Sequence, residues 1–163
     1  MNIFVLDENP NTAAQMLCDC HVRKMCVETA QILSGVMLRR GMHLLPGMPK
    51  PQNINHPVIK AVETPGATNW VWLHLFFLCA EFRIRFGKRH KYCSNGIIHD
   101  YFQILITQGV DEDCSTLAKC CGDLDVSAMD IVTAYRKYYT EVKKPHLAAK
   151  NLWKFTYRKD WTE

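Results

Sequence analysis

The stretch from Val71 to Ile84 constrains the fold more than any other part of the chain. Trp72, Leu73, Leu75, Phe76, Phe77, Leu78, Cys79, Ala80 and Phe82 surround a helical axis on nearly every side. A surface helix shows one apolar stripe, whereas a helix apolar all round belongs at the centre of its domain. The spacing predicts a helix from about Thr68 to Phe86, stopped by Gly87. A chain of 163 residues can wrap one core around such a helix and has little room for a second. At 48% hydrophobic and 22% charged residues, a disordered or low-complexity chain is excluded. The longest uncharged run, Thr64 to Ala80, is broken by Pro65, Gly66, Asn69 and His74, and is too short to span a bilayer. Residues 1–8 carry no positive n-region and hold Asp7 and Glu8 beside the apolar stretch. A soluble, cytoplasmic protein that is neither secreted nor membrane-bound is the expectation.

The remaining punctuation predicts more helix. Thr12 with Gln15 reads as a capping box opening one long helix to about Arg40, where Arg39, Arg40 and Gly41 form a basic last turn and a stop. Residues 41–66 hold Pro46, Pro49, Pro51, Pro57 and Pro65 without periodicity and read as a long connection. Ile97 to Thr107 is a short apolar segment, and Ser127 to Val142 reads as a further helix. The expected fold is mainly α: a single compact helical domain over residues 1–163, with two long core helices and at most one short N-terminal strand at Ile3–Leu6. The eight cysteines read as free thiols, because Cys18, Cys20, Cys26 and Cys79 lie in apolar segments of a chain without an export signal.

The first helix carries a narrow polar stripe. With His21 at 0° on a wheel of about 100° per residue, Glu28 falls near −20°, Lys24 near −60° and Gln31 near −80°. Val22, Met25, Cys26, Ala30, Ile32, Leu33, Val36 and Met37 fill the buried side. Glu28 can hold a proton or stabilise a cation, Lys24 can serve as an amine nucleophile, and His21 can shuttle or position. The same spacing also suits a solvated flank with a Lys24–Glu28 i,i+4 pair.

On the central helix His74, Glu81 and Arg85 fall on one line, which faces either a cleft or a buried ion network. Asn69 and Trp70 at its start, with Gln31 and with His56 of Asn55-His56-Pro57, complete the candidate substrate contacts. Beyond it, Arg83, Arg85, Lys88, Arg89 and Lys91 put five bases and no acid into nine residues. Arg83, Lys88, Arg89, His90 and Lys91 are candidate contacts to a DNA backbone. Residues 135–161 interleave bases with rings, Tyr135, Tyr138, Tyr139, Trp153, Phe155, Tyr157 and Trp161 among them. That pattern serves stacking on nucleic acid or plain core packing. Residues 111–130, by contrast, hold six acids against Lys119.

No metal and no cofactor are expected. On a helix Cys18 and Cys20 would point about 160° apart and could not share an ion. Cys114, Cys120 and Cys121 lack zinc-knuckle spacing, and there is no deaminase signature, phosphate-cradling Gly loop or nucleophile elbow.

Asn2-Ile3-Phe4-Val5-Leu6-Asp7, Ala13-Ala14-Gln15, His21-Val22 with Lys24-Met25, and Glu28-Thr29-Ala30-Gln31 resemble a family of small phage and virus proteins. That family is labelled pyrimidine-dimer DNA glycosylase, or endonuclease V-like. His56-Pro57, Trp70, Trp72-Leu73, Glu81, Arg85-Phe86-Gly87-Lys88 and His90-Lys91 extend the likeness over roughly the first 91 residues. The resemblance implies an all-α basic enzyme that excises a base and then cleaves the strand at the abasic site. It implies that Glu28 stabilises the ring-opened sugar cation and the Schiff base, and that His21 touches the DNA backbone. The chain departs from the pattern at Asn2, where those enzymes carry a small residue, and at Val27, where they carry Arg. The amine would be the Met1 α-amine or Lys24.

The leading expectation is therefore a base-excision glycosylase with abasic-site lyase activity, acting on damaged or modified duplex DNA, with its site between the two long helices. Two rivals remain: an enzyme on a nucleotide or phosphorylated small molecule in an enclosed His/Lys/Glu/Arg pocket, and a non-catalytic viral accessory protein that binds a host factor.

Overall fold

The computed structural model describes residues 1–44, 46–93, 96, 111–148 and 153–156. The fold is mainly α, and among the described residues there is no strand. Asn9, rather than Thr12, starts the first helix, α1 (Pro10–Met16): its Oδ1 accepts from the N–H groups of Asn11 and Thr12, and Pro10 occupies the first turn. The expected continuous helix is broken after α1. Leu17 and Cys18 are both extended, and the chain restarts as α2 (Asp19–Arg39), with Cys18 at its N-cap. A break leaves helix-end carbonyls without partners. Here the Arg85 guanidinium supplies them, donating to Gln15 O at 2.9 Å and to Leu17 O at 2.6 Å.

The short α3 (Pro57–Ala61) leads into α4 (Pro65–Phe86), the apolar helix, which starts three residues earlier than expected and ends at Gly87, φ 66°. That left-handed cap fits glycine, and the Gly87 N–H donates to Arg83 O. Both α1 and α2 pack on α4. Gly35 lets α2 approach α3 closely, since a Cβ there would stand 2.4 Å from Ile59 Cδ1.

After a 3-10 turn (Lys91–Cys93), the acidic segment is irregular and folds back onto the start of α4, where Asp113 N–H donates to Gly66 O. Cys114, Leu117, Cys121 and Val126 sink into the core, while Asp113 and Asp125 each bind a serine two residues on. The helix expected from Ser127 starts instead at α5 (Ile131–Tyr138), capped by Asp130. It continues through a π-helical turn (Tyr139–Lys143) into α6 (Lys144–Ala148). Ile97–Thr107, Lys150, Tyr157, Arg158, Lys159 and Trp161 lie outside the described residues.

Ile3–Leu6, offered above as a strand, forms neither ladder nor helix and is buried at 2% exposure or less. Phe4 sits among His21, Tyr135, Tyr138 and Tyr139. The interleaved rings of residues 135–139 are thus core residues and present no stacking surface. The free-thiol expectation also needs correction, because Cys79 of α4 and Cys93 of the 3-10 turn are disulfide-paired; Cys18, Cys20, Cys26, Cys114, Cys120 and Cys121 are free.

Candidate functional site

The polar stripe of α2 and the line on α4 do not converge on one cleft. Arg85 is 0% exposed, and its Nε donates to Glu81 Oε2 at 2.9 Å while Nη1 donates to Asp19 Oδ1 at 3.1 Å and Thr156 Oγ1 at 3.0 Å. This is the buried ion network that the sequence left as one option, and it fastens α4 to the α1–α2 break. These bonds of Glu81 and Arg85 run within the fold, while Arg85 also borders a cleft that Arg23 and Lys88 line. His74 is fully buried, stacked on Trp70, with Nδ1 3.1 Å from Pro10 O. Burial pushes its pKa down to about 4, so it stands neutral in the core. Trp70 Nε1 donates to Glu8 O, and Asn69 Nδ2 donates to Asp111 O. Those three expected substrate contacts are likewise spent inside the protein.

His21 also turns inward. It is 8% exposed, packs on Phe4, and places Nδ1 2.7 Å from Tyr139 Oη, which also accepts the Cys18 N–H. A group so enclosed cannot touch a DNA backbone in this conformation. The wheel argument about Cys18 and Cys20 fails for the same local reason: Cys18 lies outside the helix, and the two Sγ atoms are 3.4 Å apart. The hydrogen bond from Cys20 draws the Cys18 thiol well below its ordinary range, and the same contact pushes Cys20 up. Cys18, Cys20 and His21 offer ligand atoms within 4.8 Å of one another.

Glu28 is the group around which candidate chemistry gathers. Its Oε2 accepts the Asn2 backbone N–H at 2.9 Å, and its Oε1 lies 3.3 Å from Lys24 Nζ. The Lys24 side chain is 58% exposed and that of Glu28 14%, so the pair opens to solvent on one side. His56 is near enough to feel both ends of the cluster: burial lowers its pKa first and the Met1 amino charge second, with Glu28 opposing. The same amino charge acts on the Cys120 thiol. Met1, Lys24, Glu28 and His56 thus form one neighbourhood. Gln31 borders it and donates to Lys50 O at 3.5 Å, a long contact to the 41–56 connection. His56 also caps α3, accepting from the Val58 N–H.

Asn2 holds the neighbourhood together, and sequence reasoning missed this role. Its Nδ2 donates to Cys120 O, and its Oδ1 accepts from the Ile3 N–H and from Tyr135 Oη. Those partners lie 118 and 133 residues away, so no local spacing could announce them. The clamp fixes Asn2, the residue after Met1, on Glu28.

A basic surface is present as expected at Arg83, Lys88, Arg89 and Lys91, all exposed, while His90 is half-buried. Arg23, not anticipated, joins it: its guanidinium sits 4.3 Å over the Phe86 ring. Arg23, Phe82, Arg85, Phe86, Lys88 and Phe155 line a cleft of about 390 Å³. Among the described residues, no helix is long and apolar enough to cross a membrane. No family model, characterised protein or solved structure matches the chain.

Proposed function

We propose that the chain is a DNA base-excision enzyme whose chemistry runs through an amine held against Glu28. The observation that carries this reading is the clamp of the chain's first residues onto that carboxylate, with Lys24 on its other oxygen. In the reaction, a neutral amine attacks C1′ of the damaged nucleotide; the C–N bond forms as the glycosidic bond breaks, and the base leaves with a proton. Ring opening gives an iminium, whose positive charge a carboxylate at Glu28's position stabilises. Loss of a C2′ proton then expels the 3′ phosphate, and water releases the amine by hydrolysing the imine. The open side of the pair suits a macromolecular substrate better than an enclosed small-molecule pocket. The exposed bases from Arg83 to Lys91, together with Arg23, would hold phosphates without reading sequence.

The test is borohydride trapping on duplexes carrying an abasic site or a thymine dimer, followed by mass mapping of the adduct. Wild type should give a covalent adduct on Met1 or Lys24. Glu28→Gln should cut trapping by roughly 10²–10³-fold, the usual cost of a lost charge-stabilising group. An absence of adduct on both duplexes, together with no retention of DNA at low salt, refutes the reading.

A further inference from the structure

Away from Glu28, a second cluster joins three parts of the fold. Cys26 of α2, His90 beyond the end of α4, and Cys93 of the 3-10 turn present ligand atoms within 4.8 Å of one another. Cys79 of α4 reaches the same place, since it is bonded to Cys93 with their Cα atoms 5.6 Å apart. Three sulfurs and one imidazole make a Cys3His set, the composition of a closed structural zinc site. We propose that, with the Cys79–Cys93 bond reduced, Cys26, Cys79, His90 and Cys93 bind one Zn²⁺ ion.

Cys26 is fully buried and His90 half-buried, so the set is largely closed to solvent, as a structural metal site is. The His90 ring packs edge-on to Phe82 at 4.9 Å. Its Nδ1 accepts the Tyr92 N–H at 3.3 Å, a long contact that ligation would replace or shift to the other tautomer. The Cys93 N–H donates to His90 O, which closes the turn carrying both ligands.

Zinc–sulfur bonds of about 2.3 Å in a tetrahedron put sulfurs roughly 3.8 Å apart. The Cys26, His90 and Cys93 ligand atoms already lie within 4.8 Å of one another, and the Cys79 and Cys93 sulfurs move apart once their bond is reduced. Reduction consumes two equivalents of a small thiol, which leave as its disulfide and hand two electrons and two protons to Cys79 and Cys93. Zn²⁺ then displaces three thiol protons while His90 supplies a lone pair. The product would pin α2, α4 and the basic segment ending at Lys91 to one ion, and oxidation by a small disulfide would release it.

The test measures metal content and affinity of the full chain, reduced with excess thiol that is then removed anaerobically. Reduced wild type should take up one Zn²⁺ per chain. With Co²⁺ in its place, the visible bands of a tetrahedral thiolate complex should appear. Oxidation by a small disulfide should abolish both. His90→Ala, at a half-buried position outside the helices, should weaken binding by more than the ~10–100-fold typical of a lost outer-shell partner, as should Cys26→Ala. Cys18→Ala, aimed at the other Cys/His group, should leave it unchanged. No stoichiometric zinc in the reduced wild type overturns the proposal. Unchanged affinity in His90→Ala, or loss of binding in Cys18→Ala, overturns it equally.

Discussion

Replacing Arg85 by methionine keeps the aliphatic bulk and deletes one buried cation. The wild-type side chain is 0% exposed and donates to two carboxylates, at Glu81 and Asp19, whose side chains are 3% and 7% exposed. It also serves the carbonyls of Gln15 and Leu17 at the α1–α2 break. In the variant Asp19 keeps the Phe155 N–H, the one Thr156 hydroxyl proton serves either Asp19 or Leu17 O, and Glu81 loses its ion pair with Arg85. Two buried carboxylates, Asp19 and Glu81, then each lose the Arg85 cation. Breaking one partner out of a buried pair costs about 3–5 kcal/mol. At about 2–4 °C per kcal/mol for a chain of this size, the melting temperature should fall by roughly 6–20 °C. Urea unfolding gives the free-energy loss directly from the midpoint and slope. Adding Glu81→Gln to Arg85→Met should recover part of it, because a neutral amide is cheaper to bury than a carboxylate. Borohydride trapping per folded molecule should equal wild type, since Arg85 does not reach the Glu28 neighbourhood. A loss below about 1 kcal/mol, within reach of ordinary substitutions, would refute the buried-network reasoning. Intact stability with abolished trapping would return Arg85 to the substrate cleft that the sequence allowed.

Two further outcomes follow from buried groups. His74 titrates near about 4 in the fold, against about 6.5 in an unfolded chain. Its neutral state therefore adds nothing to the pH dependence above about 6.5, and stability is lost as pH falls from there toward 4, up to about 1.4 kcal/mol per pH unit while only the unfolded form binds the proton. Urea midpoints measured from pH 7 to 4.5 should fall more steeply for wild type than for His74→Gln; parallel curves would contradict this. Asn2→Ala should cost about 1–3 kcal/mol, because Cys120 O and Tyr135 Oη each lose a partner, and should also lower trapping by loosening the chain's first residues from Glu28. Thermal melts and the trapping yield check the two effects separately, and a stable variant with full trapping would show that the clamp does not position the amine.

What the sequence made legible was what short-range chemistry decides. The all-apolar surround of Val71–Ile84 marked α4 as central, and Gly41 and Gly87 marked two helix ends, at φ 70° and 66°. The Lys24–Glu28 spacing likewise put those side chains together. The misses were long-range. Residues 12–16 and 19–39 are both good helix, and nothing at Leu17 or Cys18 forbids continuation; the break is sustained by Arg85, 68 residues on from Leu17. Once that break was missed, the wheel for Cys18 and Cys20 was wrong, because a wheel presupposes the helix. Asn9-Pro10 did carry a visible start signal, a capping side chain before a proline at the first helical position, and the Thr12–Gln15 pattern masked it.

The same distinction decides which polar residues of the two long helices can do chemistry. A polar line on the core-facing side of a helix is held internally, and Trp70, His74, Glu81 and Arg85 each contact a backbone carbonyl or a charge within the core. A stripe at the rim of a half-buried helix has no such obligation, and Lys24 and Glu28 remain open to solvent. The first residues of the chain add to that rim more than an i,i+4 pair. They are threaded through the core by Ile3–Leu6 and arrive at Glu28 held by Asn2 on three partners from elsewhere in the chain: Glu28 itself, Cys120 and Tyr135. An ordinary chain start frays because nothing holds it. Asn2 anchors this segment to the Glu28 carboxylate at the cost of ordering several residues.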